Sequence, residues 1–284
     1  MQRPSDVRAP QAAGKVVVKF GGSSIGGMDR IDAFAMQVAE LKERGLVPVV
    51  LHGGGPEITD EMKRCGLPVR KVAGLRITDD ATLEIAKSVL SRINDRVVVS
   101  LRKAGLRSIG LAGSEVDTLV ARRMPPVLVN GPDGREEVDL GYVGEVVKVD
   151  PRAVTALCAK GFVPVIYSIC ADASGMLMNV NADTAAAALA AGIGASDLVL
   201  VTEVPGVLRT IDDLSSTVPE IREADLGPLT SSGVLRDGMI PKVEACFIAL
   251  RGGVGTAHII CGTTPNAIVD QLFGGRNLGT RLTL

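Results

Sequence analysis

The chain predicts an α/β fold, an open and mainly parallel sheet sandwiched between helices (α/β/α), and three observations carry that prediction. Short apolar runs such as Val16-Val17-Val18 and Val47-Pro48-Val49-Val50-Leu51 read as strands buried on both faces, as parallel strands do. Two successive units repeat one plan of strand, glycine turn and helix, which places helices on the faces of a parallel sheet. Hydrophobic residues make up 46% of the 284, enough to fill one large domain or two lobes.

The first unit runs from a strand at 16–20 through Gly21-Gly22-Ser23-Ser24 into a helix at about 28–44. Its Ile31, Phe34, Ala35, Val38 and Leu41 recur at helical spacing, so one face packs on the sheet. The second unit has a strand at 46–51, the turn His52-Gly53-Gly54-Gly55 and a helix at about 56–65. A long helix at about 79–103 carries a stripe of Leu83, Ala86, Leu90, Ile93, Val97 and Leu101, which suits packing or a dimer interface. Residues 107–111 read as the next strand. From 116 to 149, alternation and the turn signal Gly131-Pro132-Asp133-Gly134 predict hairpins that form a lid or flap over the sheet edge. The α/β pattern resumes with a strand at 163–169, a hairpin through Ala173-Ser174-Gly175, a helix at 182–191 and a strand at 198–202. A helix after Gly238 and a strand at 256–261 complete it.

Composition removes several function classes. With 31 Lys and Arg against 32 Asp and Glu, and no basic run interleaved with aromatics, nucleic acid is not an expected partner. No apolar stretch approaches the ~20 residues that span a bilayer, so no membrane partner is expected either. Residues 1–14 read as a polar, disordered lead-in and not as a signal peptide. Five scattered cysteines, odd in number, point to a reduced cytoplasmic interior. His52 and His258 are the two histidines, neither at zinc-site spacing from a second ligand, so no metal site is expected.

Several motifs carry chemistry. Lys19-Phe20-Gly21-Gly22 ends a buried strand with a lysine before backbone that phosphate can approach closely, although a tight turn with a surface lysine has the same sequence. No Gly-x-x-x-x-Gly-Lys-Ser/Thr occurs, which excludes the ordinary P-loop, and no Gly-x-Gly-x-x-Gly follows the first strand, which speaks against a nicotinamide-dependent dehydrogenase. His52-Gly53-Gly54-Gly55-Pro56 is a second glycine turn at the carboxyl end of a strand, where ligands of open α/β sheets bind. His52 is the tempting catalyst there but reads as a packing or hydrogen-bonding residue. In Asn179-Val180-Asn181-Ala182-Asp183, Asn181 suits a helix cap. Asp183 lies in the first turn, where it either complements the helix dipole or holds active-site lysines. Lys242, after Asp237-Gly238-Met239-Ile240-Pro241, stands at a helix start, which disfavours a cation unless an anion sits beside it. Thr202 to Leu208 is either an adenine-ribose pocket or a plain Pro-Gly turn.

Taken in order, the four motifs containing Lys19, His52, Asp183 and Lys242, with Gly74-Leu75-Arg76-Ile77-Thr78 and Val204-Pro205-Gly206-Val207-Leu208, resemble the amino-acid kinase family over about residues 15–284. Within it they resemble the branch that phosphorylates N-acetylglutamate. The resemblance implies transfer of the γ-phosphoryl group of ATP to a carboxylate, with Mg²⁺ delivered by the nucleotide. It implies that Lys19 and Lys242 stabilise the transferring group, that Asp183 orients both, and that Gly22, Gly54 and Gly55 donate amides. Arg76 and Asn179 are implied as acceptor ligands. Glu203, Val204, Pro205, Gly206, Val207 and Leu208, with Val234, Leu235 and Arg236, are implied to line the nucleotide site. It further implies an acceptor-binding lobe at about 15–178 and a nucleotide-binding lobe at about 179–284 within one domain. Arginine-inhibited members of that family carry an N-terminal helix that links dimers into hexamers, so with a short segment 1–14 that contains Pro4 and Pro10 the resemblance implies an arginine-insensitive homodimer. The chain departs from the family's common pattern at Gly113-Ser114-Glu115-Val116, where a nucleotide-loop lysine is usual, and at Glu203 and Arg236-Asp237. The nearest alternative is another acyl-phosphate-forming kinase of the same fold, acting on aspartate, an aminoadipate derivative or carbamate, and a silent nucleotide or amino-acid sensor is the alternative from another class.

Overall fold

Period-2 alternation of valines sets the middle of the molecule. In the computed structural model, which describes residues 14–21, 27–131, 134–275 and 277–284, β1 (Lys15–Phe20) turns Val16, Val18 and Phe20 to one hydrophobic layer and Val17 to the other. The chain continues through α1 (Met28–Glu43), β2 (Val47–His52) and α2 (Gly55–Arg64). A hairpin of two-residue strands, β3 (Lys71–Val72) and β4 (Leu75–Arg76), leads to α3 (Asp80–Lys103). Then come β5 (Ser108–Ala112), β6 (Leu119–Arg123), the hairpin of β7 (Val127–Gly131) and β8 (Gly134–Val138), and β9 (Val143–Val149). Helix α4 (Arg152–Ala159) precedes β10 (Val163–Tyr167), β11 (Ile169–Ala171) and β12 (Leu177–Val180). Helix α5 (Ala182–Gly192) and β13 (Asp197–Thr202) are followed by β14 (Glu220–Arg222), α6 (Leu226–Ser231) and α7 (Ile240–Arg251). The last elements are β15 (Thr256–Cys261), α8 (Ala267–Phe273) and β16 (Thr280–Thr283).

Eight strands form one sheet in the order β14-β16-β15-β13-β1-β2-β10-β5. Neighbours from β15 to β5 are parallel, and only β16, with β14 beside it, runs the other way. Helices α1, α2, α3 and α8 share the core on one face, and α4, α5 and α7 that on the other. The expected mainly parallel α/β/α sandwich is present, and one continuous sheet joins the first and second halves of the chain.

Two expectations change. The stretch after β5 is not simply a flap: β6 and β9 close with β11 and β12 into a four-stranded barrel that packs on α5, and β7 with β8 forms a separate hairpin. The strand expected at 163–169 is broken at Ser168, where the chain passes from the large sheet into the barrel. Helices α4 and α8 were not read from sequence because they are short, and α4 has Val154 as its one fully buried residue. The lead-in at 1–13 and Gly22 lie outside the described residues.

The helix ends follow local chemistry. Asp79 caps α3 by accepting from Thr82 N at 2.8 Å, and Arg102 and Lys103 in its last turn complement the dipole. Pro56 occupies the first turn of α2, where its missing N–H would have no helical partner anyway.

Gly141 locks the barrel to the segment that presents Arg76. It has φ +72°, and Thr78 accepts from Tyr142 N at 2.7 Å while donating its own N–H to Leu140 at 2.9 Å. A Cβ on Gly141 would lie 2.2 Å from the Thr78 carbonyl oxygen. Gly161 has a similar φ of +77° but open space around its Cβ position. In urea denaturation Gly141→Ala is therefore expected to cost about 2 kcal/mol more than Gly161→Ala, whose cost is the backbone conformation alone. Equal losses would show that the Thr78 contact does not require the glycine.

Candidate active site

Alternation along β1 decides where its last charged residue points. Lys19 shares a face with Val17, toward α5 and α7, and is buried. Asp183 sits in the first turn of α5, fixed there because the Asn181 cap accepts from Asp183 N at 2.8 Å and from Thr184 N at 3.2 Å. Lys242 extends from the first turn of α7. The carboxylate bridges the two: Lys19 Nζ lies 2.9 Å from Asp183 Oδ1, and Lys242 Nζ donates to Asp183 Oδ2 at 2.6 Å. Lys242 is the more open cation, with 25% of its side chain accessible against 8% for Lys19 and Asp183.

Burial pushes the Asp183 carboxyl up, but the charges of Lys19 and then Lys242 more than reverse this and hold it at about 2. Burial pulls Lys19 down, against the raising effect of Asp183, and the neighbouring Lys242 charge adds to the lowering. One carboxylate against two ammonium groups leaves the cluster with a net positive charge. An incoming anion supplies what the protein itself withholds.

The two glycine turns meet this cluster. A Cβ on Gly21 would come within 3.0 Å of Lys19 Nζ and 3.3 Å of Gly53 N, and one on Gly53 within 3.1 Å of the Ala182 Cβ. At Gly54 a Cβ would lie 2.4 Å from Ile93 Cδ1 on α3, so the turn is pressed against that helix, whereas Gly55 has open space. His52 behaves as a hydrogen-bonding residue. Its Nδ1 donates to the Gly53 carbonyl at 3.1 Å, and Nε2 accepts from Asn94 Nδ2 at 3.0 Å, an amide that also donates to Val165 O. Burial lowers His52 to about 4, so the ring is neutral and shapes the turn beside it. Asn94 was not singled out from sequence; its signal is a polar residue on the otherwise apolar stripe of α3.

A pocket of about 150 Å³ opens between the second glycine turn, the β3–β4 hairpin and the start of α5. Gly54, Gly55, Arg76 and Asn179 all line it, so the structure brings together four of the five acceptor candidates, Gly22 lying outside the described residues. Arg76 is buried, and burial lowers it. It donates to Gly55 O at 2.9 Å, Thr59 Oγ1 at 2.7 Å and Met62 Sδ at 3.0 Å, and no carboxylate among the described residues pairs with it. Asn179 Nδ2 donates to Thr78 Oγ1 at 3.3 Å, and that hydroxyl donates to Arg76 O at 2.8 Å, which ties the two candidates together. Ser168 and Lys71 also line the pocket. Ser168 had no local signal; it is the residue at which the chain changes sheets.

The nucleotide candidates lie after β13, next to β1. Val207 and Leu235 are buried in the same core layer, Glu203 is exposed, and Val204, Pro205, Leu208, Val234 and Arg236 are half-buried. Gly206 abuts β16, where a Cβ would lie 2.4 Å from Thr280 Oγ1, the oxygen that accepts from Val207 N at 2.8 Å. Side chains of Val207 and Leu235 thus pack into the core and hold these loops in place. The Gly113-Ser114 loop stands elsewhere: it follows β5, the far edge strand, four strand positions or roughly 19 Å from β13. Ala112 N donates to Glu115 Oε2 at 2.7 Å and Ser114 N to Ile169 O at 2.8 Å, which anchors this loop to the barrel.

A buried carboxylate holding two lysines beside glycine turns, at the carboxyl ends of parallel strands, defines an α/β protein built to receive a multiply charged anion. The amino acid kinase family matches residues 14–261. An acetylglutamate kinase of Methanothrix thermoacetophila is 43% identical over 269 residues, spanning 94% of this chain and 92% of that protein. One of Desulfitobacterium hafniense is 41% identical over 270 residues, spanning 94% and 91%. Among solved structures, N-acetylglutamate synthase from Neisseria gonorrhoeae aligns at a TM-score of 0.79 and 21% identity over 95% of this chain, which spans about three-fifths (59%) of that protein. Carbamate kinase of Giardia aligns at 0.68 and 15% identity, over 96% and 99% of the two chains. These two structures speak to the fold. The chain belongs to the amino acid kinase family.

The folded protein keeps His52 neutral down to about 4, whereas an unfolded chain takes up the proton near 6.5. Acidification through that window therefore favours unfolding. Between pH 6.5 and 4 the wild type is expected to lose about 3 kcal/mol more than His52→Gln does, read from urea midpoints at each pH. Parallel losses in the two proteins would remove His52 as the source.

Proposed function

We propose that this chain transfers the γ-phosphoryl group of ATP to the γ-carboxylate of N-acetyl-L-glutamate, giving the acyl phosphate and ADP in the formation of arginine. One observation carries the reading: Asp183 holds Lys19 and Lys242 in ion pairs of 2.9 and 2.6 Å beside two glycine turns. The near-full-length relatives named acetylglutamate kinase support the choice of acceptor.

In this reading a γ-carboxylate oxygen attacks the γ-phosphorus, the bond from that phosphorus to the β–γ bridging oxygen breaks, and ADP leaves with the electron pair. The nucleophile is already ionised, so no proton is moved, in keeping with a neutral and buried His52. What the protein supplies is position and charge. Lys19 and Lys242 offset the negative charge that spreads over the transferring oxygens, with Asp183 fixing their spacing. The amides of Gly54 and Gly55, at the start of α2 and lining the pocket, would add donors to the transferring oxygens. Arg76 and Asn179 hold the rest of the acceptor. The segments at 203–208 and 234–236 take the nucleotide, through backbone and half-buried side chains. Both Asp183 oxygens face lysines, so a magnesium ion would be held by the nucleotide phosphates and would supply further charge neutralisation there.

The test is ATP-dependent acyl phosphate formation, trapped as hydroxamate, with N-acetylglutamate, glutamate, aspartate and N-acetylaminoadipate. N-acetylglutamate is expected to react best, and preference for another acceptor would overturn the assignment. Lys19→Ala and Lys242→Ala are each expected to lower kcat by about 100-fold or more while nucleotide Kd changes only a few-fold. Near-normal turnover in either would remove that lysine from the chemistry.

A further inference from the structure

The pocket holds a second cation that neither the motifs nor the ion pairs explain. Strands β3 and β4 are two residues each, joined by Ala73 at φ +49° and Gly74 at φ +79°, the two successive positive values that a tight two-residue hairpin turn requires. That turn fixes the register, with Lys71 directly opposite Arg76. Directly opposed residues of an antiparallel pair project to the same side of the ribbon, and both side chains line the pocket. Like charges in that relation repel. Among the described residues no carboxylate pairs with either of them.

Their surroundings differ in a way that matters. Arg76 is buried and has three of its five N–H groups engaged on Gly55, Thr59 and Met62, so it is a fixed donor with two N–H groups to spare. Lys71 is exposed, carries no hydrogen bond to the described residues, and stands at the rim. The pocket therefore has two electrically distinct ends. At one, Gly53 and Ala182 adjoin the Lys19–Asp183–Lys242 cluster; at the other, Lys71 and Arg76 face each other across the hairpin.

We infer that Lys71 is a specificity-determining residue, the second half of a two-cation clamp that takes the non-reacting α-carboxylate of the acceptor between itself and Arg76. The assignment rests on the functional reading above and deepens it by giving each carboxylate of a dicarboxylic acceptor its own end of the pocket. A single anion between the two cations converts their repulsion into two charge-assisted contacts, so the hairpin is most favourably arranged when the acceptor is bound. Lys71 takes no part in the phosphoryl transfer itself; its contribution is to ground-state and transition-state binding alike, which appears in KM and not in kcat.

Steady-state kinetics on the full chain tests this with two acceptors, N-acetyl-L-glutamate and its α-carboxamide analogue, in which the γ-carboxylate is intact. Lys71→Ala is expected to raise KM for N-acetylglutamate about 10-fold, with kcat and KM for ATP within 2- to 3-fold of wild type. Lys71→Arg is expected to restore most of the loss and Lys71→Gln little of it. With the carboxamide, wild type and Lys71→Ala are expected to share one KM, because the charge that Lys71 contacts is gone. An unchanged KM for N-acetylglutamate in Lys71→Ala, or an equal rise for both acceptors, overturns the clamp while leaving the kinase reading intact. A wild-type enzyme inactive on N-acetylglutamate overturns both.

Discussion

Everything in this site depends on one carboxylate. Two lysines forced into the same buried space repel each other, and burial alone disfavours both charges. Asp183 makes the arrangement tenable by giving each ammonium its own oxygen, and the stoichiometry leaves it positive. Such a cluster is held together in the resting protein yet not electrically satisfied. The difference is what a phosphoryl group in transit, with its spread negative charge, is suited to supply.

The fold makes that meeting a matter of geometry. Alternation on β1 sends Lys19 to the α5 and α7 face and sends Phe20 to the other. Alternation on β2 likewise separates Leu51 from His52, which turns to Asn94 on α3. One sheet thereby places charge on one side of the glycine turns and a neutral hydrogen-bonded brace on the other. Helix caps add the last increment: Asn181 sets where α5 begins and so where Asp183 stands.

Much of this was legible in the sequence, for identifiable reasons. Strands β1, β2 and β13 are buried on both faces and read as unbroken apolar runs, and α1 and α3 are long enough for a helical period to be counted. Lys19, Asp183 and Lys242 each stand at a strand or helix terminus, where a charge has local meaning. That they touch was not readable from local pattern, because contact between distant segments depends on strand order. The same limit explains the barrel: the hairpin of β11 and β12 is legible from Ala173-Ser174-Gly175, but its closure with β6 and β9, in the stretch that reads as a flap, depends on pairing across long intervals. It also explains the loop at Ser114, whose place at the far edge of the sheet follows from topology alone. Lys71 escaped notice because its significance lies in a cross-strand partner and not in its neighbours along the chain.

The bridge between Asp183 and Lys242 joins positions 59 apart, and the bond from Asp183 to Lys19 spans most of the chain. Contacts of such separation bear a large loop-closure cost and form only once the intervening structure is in place. Without Lys242 on α7, Lys19 and Asp183 would be a one-to-one pair with no surplus charge. The electropositive character of the cluster arrives with its last member. The surplus charge therefore depends on α7 docking beside α5, and a chain in which α7 is undocked has little to attract a nucleotide's phosphates.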